Sequence, residues 1–429
     1  MVRQLLLTAS AFALLGGTAF ALPGNNSEVL QDSSDNLALI DQSLSTWGAS
    51  SGVSQTGDEN TAVVTQTDDG SAVGSVYANI SLIDQTGSNN LADVSQDSSG
   101  AEDADSALNW SGIDQFGSDS VASVLQSGAG ATSYVTQSGA NQSASIDQNG
   151  PGYNNSTVDQ DGDGQTATVL QSDTAPDSAL SSWIYQSGEG QIAELTQIGV
   201  ASDSLIAQHG ASHYANVNQD SSGEGTLDSV ISQTELANVA MVTQLGAEAS
   251  SVVDQAGEDL SATVTQASDG GGVLASGVYQ SGYANTANVD QTGVEASSVA
   301  IQSGEYQSAT ITQISTGADA MTSYVEQLDS DNLATVMQSG EGHVHSDVMQ
   351  SGSYMQAFVQ QDGYELHSTV TQMNGSDNVA LVEQMGEFTN SHVLQDGSSH
   401  LAIVSQMSGM PAMSSVVQYG ASNTAIISQ

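Results

Sequence analysis

Side-chain character alternates every second residue along most of this chain. In Asn79–Gln85 the residues Asn79, Ser81, Ile83 and Gln85 fall on one face of an extended segment, and in Asn90–Gln96 so do Asn90, Ala92, Val94 and Gln96. A period of two belongs to the β-strand, whose successive side chains point to opposite faces. Thirty-four such segments, each closed by glutamine, run from the one ending at Gln31 to the one ending at Gln429. Val or Ile stands two residues before the glutamine in 32 of the 34; Leu195 and Ala300 are the exceptions. Four residues before it Ser and Ala alternate without a break, from Ser27 then Ala38 to Ser414 then Ala425. The repeating unit is a Ser strand plus an Ala strand, and there are 17.

Spacing distinguishes the two turns of a unit. From a Ser-strand glutamine to the next Ala-strand glutamine the interval is 11 in 16 of 17 units; Gln372 to Gln384 is 12. From an Ala-strand glutamine to the next Ser-strand glutamine it ranges from 11 to 19. The fixed turn carries Gly two residues after the glutamine in 13 of 17 units, among them Gly57, Gly87, Gly117, Gly282 and Gly420. Glycine supplies the positive φ of a tight reversal. The longest insertions, from Thr67 and from Asp97, are rich in Asp, Ser and Gly, as exposed loops are.

One strand-turn-strand unit cannot bury its apolar face alone, so neighbours must stack. The expectation is an all-β chain: a β-solenoid of 17 strand-turn-strand rungs forming two parallel in-register, amyloid-like sheets. The sheets should face each other about 10 Å apart, with rungs about 4.8 Å apart and a total length of roughly 80 Å. Small Ser and Ala let the sheets approach, while Val and Ile fill the gap. A buried amide left unpaired costs about 1–3 kcal/mol, and stacking each Gln on the Gln above and below removes that cost. The same expectation covers the Asn six residues before the glutamine, as at Asn90, Asn285 and Asn423, with Gln142, Gln165, Gln191 and Gln307 replacing it in other units. A disordered polar tract would need neither an unbroken Ser/Ala alternation nor a fixed turn length.

Residues 1–21 read as a secretory signal peptide: Arg3, an apolar run Leu5–Leu15, then Ala19-Phe20-Ala21. Residues 22–24 form a short segment, and 25–429 read as one repeat domain. Charge sharpens the picture. Of 429 residues, 49 are Asp or Glu and one is Lys or Arg, for a formal net charge of -48. A chain whose one cationic side chain is Arg3 has almost nothing to neutralise phosphate and is not expected to bind nucleic acid or anionic lipid. It has no cysteine, which excludes disulfides and thiolate chemistry.

These residues resemble the curlin repeats of bacterial curli amyloid fibres. The shared pattern, Gln-x-Gly-x-x-Asn-x-Ala-x-x-x-Gln, occurs in full at Gln85, Gly87, Asn90, Ala92 and Gln96. It recurs at Gln280, Gly282, Asn285, Ala287 and Gln291, and at Gln418, Gly420, Asn423, Ala425 and Gln429. The resemblance implies a secreted structural protein that polymerises into functional amyloid of the extracellular matrix, serving adhesion and biofilm formation by a Gram-negative cell. Its partners would be further copies of itself added head to tail, a nucleator subunit and an outer-membrane secretion channel of the curli type. Strands at both ends with the same inward pattern would template such addition. The alternative is a monomeric acidic β-solenoid acting as an adhesin or binding rod.

Chemistry beyond that is sparse. Asp161 and Asp163, and the loop Glu102-Asp103-Ala104-Asp105, could offer carboxylates to Ca²⁺, although the repeats lack the nonapeptide calcium pattern and solvated turns explain them as well. His343 and His345 flank inward Val344 and share an outer face, a pair that needs further ligands to hold a metal. His213 and His400 occupy the Asn position. Tyr185, Tyr279 and Trp110 should point outward. The repeated serines have no His or Lys partner, so no catalytic function and no cofactor are expected.

Overall fold

The computed structural model describes residues 25–429 apart from 46–47, 69–78, 99–108, 129, 222–224, 318 and 409, with the side chains of Leu44 and Ser408 also outside the description. The signal-peptide segment, the tips of both long insertions and the Glu102–Asp105 loop lie outside the described residues.

Every regular element among the described residues is a β-strand, from Asn26–Asp32 to Thr424–Ser428. Ser strands and Ala strands alternate along the chain, and within each unit Ser strands pair in parallel with Ser strands and Ala strands with Ala strands, forming two sheets. The chain groups into two compact units, divided after Ser212. In the first, eight Ser strands run from Asn26–Asp32 to Ala201–Ala211, and seven Ala strands from Leu37–Leu44 to Ile192–Gly199. In the second, ten Ala strands run from Tyr214–Ser221 to Thr424–Ser428, and nine Ser strands from Leu227–Leu236 to Ala412–Ala421.

Register is like on like. Ser81 pairs with Ser111, Ile83 with Ile113 and Gln85 with Gln115; Ala262 pairs with Ala287 and Gln266 with Gln291. The alternation dictates this register, because a one-residue slip would turn every inward column to solvent. Inward columns are buried throughout the inner rungs: the Ala column, the Val/Ile column, the Ser column and the glutamines. Tyr185 and Tyr279 are exposed, and Trp110 stacks on Tyr134 of the adjacent rung at 6.1 Å.

The one 12-residue interval across the fixed turn, Gln372 to Gln384, has a local solution. Between Ser351 and Gly352 the register shifts, so that Met373 lies opposite Ser351 and Gly375 opposite Gly352. Asn374, at φ 56°, is the extra residue of a β-bulge, and the glycine column resumes at Gly375.

Candidate functional site

The glutamine columns are continuous amide ladders. In the Ser sheet of the first unit, Gln55 Nε2 donates to Gln85 Oε1 at 2.8 Å and Gln85 Nε2 to Gln115 Oε1 at 2.8 Å. In the second unit, Gln255 donates to Gln280 at 2.8 Å and Gln280 to Gln302 at 2.7 Å. The Ala sheets do the same: Gln66 to Gln96, Gln96 to Gln126, Gln266 to Gln291, and Gln406 to Gln429. Every one of these bonds runs from a rung to the rung after it in sequence. The other Nε2 hydrogen is used too, on a backbone carbonyl of the facing sheet: Gln85 on Thr61 at 3.0 Å, Gln96 on Ile80 at 2.9 Å, Gln418 on Leu401 at 3.0 Å. A buried primary amide thus spends both donors, which removes the penalty that would otherwise forbid it.

The asparagines behave differently from the expected side-chain stack. Asn60 Oδ1 accepts from the backbone N–H of Asn90 at 3.1 Å, and Asn60 Nδ2 donates to the carbonyl of Gly87 at 3.0 Å. Asn90 repeats this with Ser120 N–H and the Gly117 carbonyl. Asn285 does so with Gln307 N–H and the Gly304 carbonyl. Asn423 donates to its own turn at the Tyr419 carbonyl. The side chain is too short to reach its neighbour's amide while also bracing the next turn, so the column ties side chain to backbone. Where glutamines replace it in consecutive rungs, the extra methylene restores an amide contact, Gln142 donating to Gln165 Oε1 at 3.1 Å and Gln165 to Gln191 Oε1 at 3.2 Å, whereas Gln307, between asparagines, donates only to the Ser303 and Asp329 carbonyls.

Glycine in the fixed turn answers two demands at once. Gly87 has φ 126°, and a Cβ there would lie 1.8 Å from the Gly117 carbonyl oxygen. Gly117 and Gly282 stand under their next rungs in the same way, while Gly420 has nothing within 4 Å. Besides the bulged Asn374, three rungs use another residue there, Ser33 at φ 107°, Glu235 at φ 78° and Asp329 at φ 75°, the last two with smaller positive angles than the glycines beside them. Two residues on, a second positive φ precedes the asparagine, held by Asn89, Asp119, Asn141 and Asp259 among others. Short polar side chains tolerate that conformation, but Ala237, Ala284, Tyr306 and Tyr354 hold it as well, so residue type marks the position only in part.

A further regularity lies in the second unit. The Asn column alternates: Asn238, Leu260, Asn285, Gln307, Asn332, Met355, Asn378, His400, Asn423. At the opposite turn Leu227, Ala249, Leu274, Ala296, Met321, Val344 and Leu366 form one buried apolar column. Through Leu366, each rung with Asn at one turn carries Leu or Met at the other, and each rung with Leu260, Gln307 or Met355 carries Ala or Val. The true period there is two rungs, with bulk traded between the ends to hold core volume constant. Comparing units two apart, instead of neighbours, exposes it in the sequence.

Asp161 and Asp163 occupy exposed turn positions. Asp163 Oδ1 accepts from the Ala140 N–H at 3.1 Å, and among the described residues no group of three metal-ligating side chains of the His, Cys, Asp or Glu type converges there or elsewhere. Asp159, on the same strand, has its carboxyl pushed above the usual range by burial and by the Asp161 charge. Asp173 is buried and also pushed up by that burial, although Gly152 N–H and Asn154 Nδ2 donate to it at 2.9 and 2.8 Å.

The chain was compared with models of known protein families and with curated proteins, and neither comparison returned a match.

Proposed function

We propose that this chain is a secreted structural subunit that polymerises into curli-like functional amyloid fibres of the extracellular matrix, for adhesion and biofilm formation. The observation that carries the reading is the identity of the contacts from rung to rung. Within each unit every junction repeats the same parallel backbone pairing and the same glutamine amide donation, and the rungs that carry Asn at the fixed turn, such as Asn60, Asn90 and Asn285, add the same Asn-to-turn bonds. A rung of another copy, bearing the same columns, would find the same partners. The first and last rungs carry them as well: Ser27, Val29 and Gln31 on one side, Ala425, Ile427 and Gln429 on the other. The amide ladder has a direction, so addition would be head to tail, acceptor end to donor end.

Export through an outer-membrane channel and initiation by a nucleator subunit belong to the same proposal and rest on the curlin-type repeat pattern. The outer acids act as gatekeepers, since unpaired negative charge along neighbouring copies opposes association. Incubating the purified chain lacking residues 1–21 at moderate salt, followed by sedimentation, electron microscopy and fibre diffraction, tests the reading. Filaments with a 4.7–4.8 Å meridional reflection are expected. Monomers that stay soluble at high concentration, with or without a curli-type nucleator, would favour the monomeric binding rod instead.

A further inference from the structure

The outer face of the second unit gathers three of the chain's seven histidines beside a carboxylate. His345 and His367 stand opposite each other on adjacent strands, Val344–Ser353 and Leu366–Ser376. Their ring centroids are 5.8 Å apart. The pairing continues one residue further back, where the Leu366 N–H donates to the His343 carbonyl at 3.0 Å; this sets His343 opposite Glu365. The sequence motifs His343-x-His345 and Glu365-x-His367 are therefore stacked in register, with Val344 and Leu366 buried between their members. The four residues occupy a two-by-two set of register positions, and all four line one open cleft together with Thr322.

We propose that His343, His345, Glu365 and His367 bind a borderline divalent transition ion such as Zn²⁺, Ni²⁺ or Cu²⁺. Three imidazoles and one carboxylate are a donor set these ions favour over Ca²⁺ or Mg²⁺. Two imidazoles on one tetrahedral ion, each nitrogen about 2.0–2.1 Å from it, have ring centroids about 5 Å apart. The 5.8 Å separation of His345 and His367 is within a small side-chain rotation of that value. No three donors converge among the described residues, so closure takes a turn of His345, whose nitrogens now face Thr322 and Asp347, and rotation of the exposed His343 and His367, with His343 leaving Asp319 at 3.8 Å.

Asp347 is a positioning residue for this site. Its Oδ2 holds His345 Nε2 at 3.0 Å, and His345 Nδ1 contacts Thr322 Oγ1 at 2.7 Å on the cleft side. Thr322 and His367 flank His345 on opposite sides, so the imidazole turns over to bring Nδ1 to an ion shared with His367, while a carboxylate on Nε2 keeps that nitrogen occupied and leaves Nδ1 for the ion.

The test is titration of the full chain with Zn²⁺ by calorimetry, and with Cu²⁺ by electron paramagnetic resonance, in saturating Mg²⁺ to occupy the acidic surface. One ion per chain with histidine nitrogen in the spectrum is expected. H345Q or H367Q should each weaken binding at least about tenfold, and D347N about tenfold with the nitrogen signature kept; H209Q, in the other unit, should change nothing. Binding that survives H345Q and H367Q, that Mg²⁺ abolishes, or that shows only oxygen ligands would overturn the site.

Discussion

The two turns of a rung in the second unit are held by different forces. At the turn from Ser strand to Ala strand, Asn285 joins the next rung through its Oδ1 to Gln307 N–H at 2.9 Å and its Nδ2 to the Gly304 carbonyl at 3.0 Å. Gly282, whose Cβ would lie 2.0 Å from the Gly304 carbonyl oxygen, lets that next rung approach. At the opposite turn, Leu274 packs in a column between Ala249 and Ala296. A hydrogen bond that closes a turn on itself, as Asn285 Nδ2 does on the Ser281 carbonyl at 2.8 Å, is directional and restricts its length; apolar contact is not directional and leaves the length free. The glutamine intervals follow: 11 across the first turn of that rung, and 14 then 11 across the second turns on either side of it. In the first unit Asn109 imports the polar solution to the second turn, with its Oδ1 accepting from Ala131 N–H at 3.1 Å and its Nδ2 donating to Gly128 at 3.1 Å.

The largest effect should come from the glycine column. Gly304→Ala places a Cβ 1.8 Å from the Asp329 carbonyl oxygen at φ 135°, and should cost about 3 kcal/mol or more in denaturant unfolding. Gly190→Ala is its control. With φ 61° and nothing within 4 Å, it should cost about 1 kcal/mol. Equal losses would remove the close-approach argument.

Next come the two turn columns themselves. Leu274→Ala should cost about 2–4 kcal/mol, because its neighbours cannot collapse into the gap between stacked rungs. Asn285→Leu strands the buried Gln307 N–H and the Gly304 carbonyl, costing about 2 kcal/mol. A residue inserted beside Leu274 should be tolerated better than one beside Asn285, as thermal melting would show.

Acid should stabilise. Burial pushes the carboxyls of Asp147 and Asp173 above the usual range, and burial with the Asp161 charge does so for Asp159. A raised folded-state pKa means the folded chain holds the proton that the unfolded chain has lost. Stability from these groups therefore rises as pH falls through the range above the ordinary carboxylate value. Asp41 and Asp58 work the other way: hydroxyl and amide donors, from Ser43 and from Ser33 with Ser34, hold them low, and their contribution fades at still lower pH. The melting temperature should climb from pH 7 toward pH 5 and turn over below. Asp173→Asn should flatten the climb, with the unpaired Asn154 Oδ1 free to accept from the new amide after a flip.

Smallest is the Ser column. The hydroxyls of Ser81, Ser111 and Ser346 are buried with no hydrogen bond, so Ser346→Ala should be neutral or stabilising by up to about 1 kcal/mol. A clear loss of stability would show that the column selects for polarity as well as size.

The strands, their parallel register and the burial of Gln85, Gln96, Gln280 and Gln291 were legible in the sequence because each depends on spacing alone. The bonding of Asn90 and Asn285 was not, since it depends on where the next turn's carbonyl lies. The two-by-two set of His343, His345, Glu365 and His367 was half legible: His343 and His345 share a strand face, but Glu365 and His367 join them only once the register crosses a loop. The two-rung period of Asn238, Asn285 and Asn332 was present in the letters and needs only a longer comparison window.

In-register stacking of like positions is the claim beneath all of this, and the absence of cysteine makes it directly measurable. Ser281 lies opposite Ser303 on adjacent strands, and Ile301 is two residues off that register. Under mild oxidation the pair Ser281→Cys with Ser303→Cys should form an intramolecular disulfide rapidly, whereas Ser281→Cys with Ile301→Cys should not, its Cα atoms lying beyond the roughly 7 Å that a disulfide spans. Equal yields from the two pairs, or a faster bond in the second, would contradict the account.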